Sequence, residues 1–205
     1  MKLVKSIKYL NRILDQYRSD GFKIHLTPTM GALHAGHLKL VKKSKKLKSI
    51  VVVSIFVNPT QFGPKEDYKD YPRTLKNDLK VLKKYGADIV FTPIQKQILS
   101  HKTKHNCPQF AIEKRLCGKS RPNYFPGVKN IVLKLFDIVQ PDVAFFGEKD
   151  YQQYLVIKKM TESLKLNTRI ICVKTVRDRY GLPLSSRNNY LSDQEFKIAI
   201  KINKL

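Results

Sequence analysis

The chain is poor in the residues that hold small extracellular folds together. It has 3 cysteines in 205 residues. Cys107, Cys117 and Cys172 are far apart, odd in number and never in a C-x-x-C pair. That excludes a disulfide framework and a zinc knuckle and leaves reduced thiols. Long apolar runs are missing as well. The longest, "IVVVSIFV" (50–57), falls far short of the roughly 20 residues a membrane helix needs. The N-terminus, "MKLVKSIKYLNRILDQYRSDG", mixes lysine and arginine with apolar residues and has neither the apolar core nor the cleavage site of a secretory signal. These absences point to a cytoplasmic protein with no membrane partner. No internal repeat and no low-complexity tract occurs.

Acidic residues are scarce: 16 against 40 lysines and arginines, a formal charge of +24. Two readings fit. A basic protein attracts phosphates, which allows a polyanion partner. Alternatively the lysines form a solvated surface. They are spread along the whole chain ("KKSKKLK", "LKKYG", "IKKM"), which favours the second reading. The aromatic–basic interleaving of a nucleic-acid module is absent, so no nucleic-acid partner is expected.

What is present is enough for a packed core, with 42% hydrophobic and 10% aromatic residues. A helical stripe runs through Val4, Ile7, Leu10, Ile13, Leu14 and Tyr17 and ends at Asp20-Gly21. "KIHLTPT" reads as a strand, "HLKLVKKSKKL" as a helix and the β-branched "SIVVVSIFV" as a strand covered on both faces. Helix "TLKNDLKVLKKYG", strand "ADIVFTP", helix "VKNIVLKLFDIVQ", strand "DVAFFG", helix "YQQYLVIKKMTESL" and strand "TRIICVKTV" follow. The alternation predicts an α/β domain with a parallel sheet flanked by helices. Residues 94–109 are the least regular and read as an exposed excursion. After Val176 the rhythm stops, and Ser192 with Glu195 forms a capping-box signature for a helix running to the terminus.

Ligands in such sheets bind beyond the carboxyl ends of the strands. The polar, glycine-containing segments all fall there: "PTMGALHAGH", "NPTQFG", "GEKD" and "RDRYGLPLSSRNN". In the first, His34 and His37 are three apart, on one face of a starting helix. No third His, Cys or carboxylate lies within a turn, so a zinc site would be incomplete. Gly31 and Gly36 allow close backbone approach, and a helix N-terminus favours an anion. The pair therefore reads as hydrogen-bond donors to a triphosphate whose α-phosphorus is attacked.

"HAGH" is a variant of the H-x-G-H signature of nucleotidyltransferases. "PTMGALHAGHLKLV", "VVVSIFVNPTQFGPKEDYKDYPRTLKNDL", "SRPNYFPGV", "KLFDIVQPD", "FFGEKDYQQ" and "GLPLSSRNNYLS" occur in that order. Together they resemble the pantoate–β-alanine ligase family, over residues 20–195. The resemblance implies a Rossmann-like core and a two-step reaction. Pantoate is activated by ATP as an adenylate, with Mg²⁺ accompanying the nucleotide, and β-alanine then displaces AMP. By the same resemblance Met30, Gly31, Ala32, Leu33, His34, Ala35, Gly36 and His37 form a first ATP segment, with His37 as proton donor. Gly147, Glu148, Lys149 and Asp150 form a second, with Lys149 on a phosphate and Asp150 on the ribose. Val176, Leu184, Ser185, Ser186 and Arg187 complete the nucleotide contacts. Gln61 and Gln153 match the pantoate-binding glutamines, and Asn58, Tyr71 and Arg121 are secondary contacts. Asp78 is the expected carboxylate near Mg²⁺.

Two positions depart from the family pattern: Tyr124 stands where His is expected, and Tyr180 where Asp is usual. The resemblance also implies a homodimer. It divides the chain into an ATP- and pantoate-binding domain (1–175) and the start of a C-terminal lid domain (176–205), because family members continue beyond this length. Without most of that lid, a remnant that only binds nucleotide is the alternative to an active ligase.

Overall fold

The computed structural model describes residues 1–202. In chain order it contains β1 (Lys2–Val4), α1 (Ile7–Ser19), β2 (Lys23–Thr29), α2 (Ala35–Ser44), β3 (Ser49–Ile55), α3 (Leu75–Lys84) and β4 (Ile89–Phe91). Then come α4 (Gln95–Ser100), α5 (Cys117–Ser120), α6 (Tyr124–Val139), β5 (Val143–Gly147), α7 (Tyr151–Ser163), β6 (Arg169–Val173) and α8 (Asp193–Ala199). The six strands form one parallel sheet in the order β1-β4-β3-β2-β5-β6. The expected Rossmann-like α/β fold is what the chain adopts.

Both faces of the sheet are covered. Val52, Ile24 and Phe146 pack with α1, α4, α6 and α7 into the larger core. Val51, Val53 and Val90 alternate to the other face and meet Leu38 and Val41 of α2 and Leu82 of α3. This two-sided burial is why the strands read as unbroken apolar runs.

The sheet positions the site through its order. From β2 the chain steps outward to β3 and β4, then returns through α6 to place β5 on the other side of β2. The order reverses between β2 and β5, where such sheets open a crevice. β2 pairs with β3 over seven residues, from Lys23↔Ser49 to Thr29↔Ile55. With β5 it pairs only at His25↔Val143 and Leu26↔Ala144. Beyond Leu26 the two strands part.

Three expectations need correction. Val4 is buried, but in strand β1 beside β4 rather than in the first helix. Ser6 caps that helix, accepting from the Tyr9 N–H, so α1 starts at Ile7. Val4 matched the helical spacing by coincidence. Residues 94–109 are not wholly exposed: α4 buries Ile98 completely, and His101 bonds Asp137 of α6 at 2.6 Å. The last helix begins at the expected Ser192–Glu195 capping box and ends at Ala199. The end of the helix drawn to the terminus falls on residues 203–205, outside the described residues.

α6 lies against the short 3-10 turn Pro59–Gln61 at Gly127, where a Cβ would stand 2.3 Å from Thr60 O. Gly127→Ala should lower stability by about 1–3 kcal/mol or more, because backbone must move. Gly147→Ala, where no atom lies within 4 Å of the added Cβ, should change it by less than about 0.5 kcal/mol. Urea denaturation of both variants checks the contrast.

Candidate active site

A cleft opens where β2 and β5 part. Its walls are the segments after β2, β3, β5 and β6, with α6 closing one side. The structure brings Met30, His34, Gly36 and His37 to it from the first segment. Asn58 and Gln61 come from the second, Gly147, Lys149, Asp150 and Gln153 from the third. Val176, Leu184, Ser185, Ser186 and Arg187 come from the fourth, and Tyr71, Arg121 and Tyr124 complete the polar lining.

The two histidines are held by the start of α2. His34 is its N-cap residue, in extended conformation. Its Nδ1 accepts from the Gly36 N–H at 3.1 Å, and His37 Nδ1 accepts from the His34 N–H at 3.4 Å. Two imidazoles thus do the work usually given to Ser and Glu in a capping box. Their ring centroids are 4.1 Å apart. A Cβ on Gly36 would come within 2.8 Å of His34 Cε1, so the fold-back of that ring requires glycine. With Nδ1 accepting, a neutral ring carries its proton on Nε2. Burial lowers the pKa of His34, with Lys149 adding to the effect and Asp150 opposing it. Burial, His34 and Lys149 lower that of His37 to about 3. Both rings are neutral Nε2–H donors in the neutral pH range.

Asp78 is a correction. It is 1% exposed and does not line the cleft. One carboxylate oxygen accepts from the Ala32 N–H at 3.1 Å. The other accepts from the Leu33 N–H at 2.9 Å and the Thr74 hydroxyl at 3.2 Å. The carboxylate pins the turn that presents the histidines, at the positive-φ residues Gly31 and Ala32, and is not placed to meet a metal. Among the described residues, no three His, Cys, Asp or Glu side chains converge on a metal position. Of the expected nucleotide residues, Gly31, Ala32, Leu33, Ala35 and Glu148 also lie off the cleft wall. The Glu148 carboxylate instead accepts from the Thr175 N–H at 3.1 Å and ties the ends of β5 and β6 together.

Of the four cations lining the cleft, Arg121, Lys149 and Arg187 each meet a carboxylate, and Lys174 meets none among the described residues. Arg187 places Nε and one terminal nitrogen on Asp67, both at 2.8 Å. Arg121 grips Glu66 in the same way, with Nε to Oε1 at 2.6 Å. Lys149 pairs with Asp150 at 3.1 Å. The arginines hold the carboxyls of Glu66 and Asp67 below the usual range. Sequence reasoning did not single out these two acids. They lie inside "QFGPKEDYKDYPR", but nothing in their spacing names an arginine partner far along the chain. It also missed the apolar wall from α6 (Val128, Ile131, Val132, Leu135), which the helical stripe showed only as core.

The chain is similar to known proteins along its whole length. The family model described as pantoate-beta-alanine ligase matches residues 2–205. The chain belongs to the pantoate–β-alanine ligase family. A pantothenate synthetase of Acetivibrio thermocellus is 48% identical over 204 residues, covering 100% of this chain and 73% of that protein. The crystal structure of pantothenate synthetase from Thermus thermophilus superposes with a TM-score of 0.92 at 39% identity, over 100% of this chain and 72% of that one. A Francisella tularensis pantoate–β-alanine ligase complexed with beta-gamma ATP and β-alanine gives 0.91 at 42% identity, over 100% of this chain and 78% of that one. The enzyme class implied by the motifs is therefore that of the family.

The depressed His37 pKa has a consequence for stability. In the unfolded chain this imidazole takes up a proton below about 6.5. In the folded chain it resists protonation down to about 3. The unfolded state thus binds more protons between those values, and stability falls as pH is lowered through that window. The loss is on the order of 2–5 kcal/mol, less wherever solvent at the cleft screens the ring. His37→Gln should flatten this part of the stability–pH curve, measured by urea denaturation from pH 7 to 4.

Proposed function

We propose that the protein condenses pantoate with β-alanine at the expense of ATP, through pantoyl adenylate. The observation that carries this reading is the convergence, in one cleft, of two neutral imidazole donors, Lys149, the Ser185–Arg187 segment and two glutamines. The first set suits a triphosphate. The glutamines suit a substrate with hydroxyls and a carboxylate.

In the first step a carboxylate oxygen of pantoate attacks the α-phosphorus of ATP, and the bond to the bridging oxygen breaks to release pyrophosphate. Nε2–H donors on His34 and His37 stabilise the charge that builds on phosphate oxygens. His37 acts here as a hydrogen-bond donor rather than as an imidazolium, since burial keeps it neutral. Lys149 adds a point charge, and Ser185, Ser186 and Arg187 add further donors from the segment after β6. Arg187 must share or exchange its Asp67 contact to do so. In the second step the β-alanine amine attacks the acyl carbon, and AMP leaves.

Mg²⁺ fits this reading as an ion carried by the nucleotide, whose charge it neutralises. Asp150 is the one carboxylate among the described residues on the cleft wall, which suits an ion held chiefly by phosphates and water. Cytoplasmic location, a homodimer and the division at residue 175 belong to the same reading. No helix among the described residues is long and apolar enough to cross a membrane.

The test is AMP release from purified protein supplied with ATP, Mg²⁺, pantoate and β-alanine. AMP should appear only when pantoate is present. His37→Ala should lower kcat by roughly 10²–10³, while losing only about 1 kcal/mol of stability with the cap. ATP binding without AMP release would favour a chain that merely holds nucleotide. Salt-sensitive polyanion binding indifferent to ATP would favour a nucleic-acid role.

A further inference from the structure

Resting on the pantoate reading above, we propose that Tyr124 is a positioning residue for the acid substrate: its hydroxyl, donating to Gln153 Oε1 at 3.0 Å, turns that amide so that Nε2 faces the cleft as a donor. Tyr124 opens α6 and Gln153 lies in the first turn of α7, so one hydrogen bond spans two helices at the cleft wall. An amide whose oxygen is engaged by a donor offers its N–H groups to whatever comes next. Among the described residues Gln153 Nε2 has no protein acceptor within hydrogen-bond distance.

The phenol is itself held in place. The Arg121 guanidinium lies over its ring at 4.1 Å, and Phe125 meets it edge-on at 5.0 Å. Arg121 is in turn gripped by Glu66 and so cannot swing freely. Burial pushes the Tyr124 pKa up to about 12, so the hydroxyl keeps its proton throughout the neutral range. An ionised phenolate could only accept, and would turn the amide the other way.

Gln61, which also lines the cleft, has its carbonyl engaged in the same way. Its Oε1 accepts from Asn58 Nδ2 at 3.3 Å. Asn58 is 1% exposed and also donates to Gly127 O at 3.1 Å, which fixes it. Gln61 Nε2 spends one N–H on Met30 Sδ, a weak acceptor, at 3.2 Å. Both glutamines thus have their carbonyls engaged by protein donors and keep N–H for the ligand, two at Gln153 and one at Gln61. A wall of donors selects for a ligand whose facing atoms are acceptors, such as the carboxylate and hydroxyl oxygens of a 2-hydroxy acid. It rejects analogues lacking them, which would leave the donors unpaired. Tyr124 therefore does more than fill the place of the expected histidine. It supplies a donor that cannot change charge near neutrality.

The experiment measures pantoate binding by calorimetry and the three KM values for the wild type, Tyr124→Phe and Gln153→Glu. Tyr124→Phe keeps the ring, its packing and its contact with Arg121, and removes only the oxygen. It should raise the pantoate Kd and KM roughly tenfold, with ATP KM, kcat and Tm little changed. Gln153→Glu, which replaces the N–H groups by acceptors, should weaken pantoate binding more than Tyr124→Phe does. Unchanged pantoate binding in Tyr124→Phe would overturn the proposal. So would a uniform rise in all three KM values with a lower Tm, the mark of a merely structural role. If the wild type itself fails to bind pantoate, the functional reading falls and takes this proposal with it. That outcome is separate from a wild type that binds and a Phe variant that binds equally well.

Discussion

The first turn of an α-helix leaves N–H groups without partners in the helix, and at α2 two of the donors at that end, those of His34 and Gly36, end on imidazole nitrogens. That one constraint sets the chemistry of the site. An imidazole that accepts at Nδ1 keeps its single proton on Nε2, and burial beside Lys149 keeps it from gaining a second. Structural demand and chemical role coincide: the groups that satisfy the helix are thereby oriented as neutral donors. A serine cap would satisfy α2 equally well but would reach less far into the cleft.

Around that turn the fold supplies two further conditions. Asp78, on α3, ties the turn down through the Ala32 and Leu33 N–H groups, so the histidines stand on a fixed support. The divergence of β2 from β5 after two paired residues makes room opposite them. Among the described residues four cations line the cleft, and three of them, Arg121, Arg187 and Lys149, are matched with a neighbouring carboxylate. An entering polyphosphate must share or displace these partners. Partly solvated pairs of this kind contribute little to stability, which leaves them able to exchange.

Much of this was legible in the sequence because it is written in local patterns. Strand and helix alternation exposed the parallel sheet, and the glycine-containing segments at the strand ends marked the cleft. The motif order gave the family. What escaped was of two kinds. Three-residue β1 is too short to show a period, and Val4 fell into step with the helix beside it. The other kind is partnership across the chain. Asp78 sits on a helix where a surface carboxylate is the ordinary expectation, and only the fold shows it turned inward beneath the histidine segment. Glu66 with Arg121 and Asp67 with Arg187 are separated by 55 and 120 residues, and no spacing rule reaches that far. Tyr124 was visible as a departure, but its hydrogen bond to Gln153 was not.

The central claim is the protonation state of the two imidazoles at the start of α2. Nitrogen-15 NMR of histidine side chains at pH 7, with His34 and His37 assigned by substitution, reads it directly. Both rings should show a protonated Nε2 and an unprotonated, hydrogen-bond-accepting Nδ1, and His37 should keep that pattern down to pH 5. A proton on Nδ1, or an imidazolium signal from His37 at neutral pH, would contradict it.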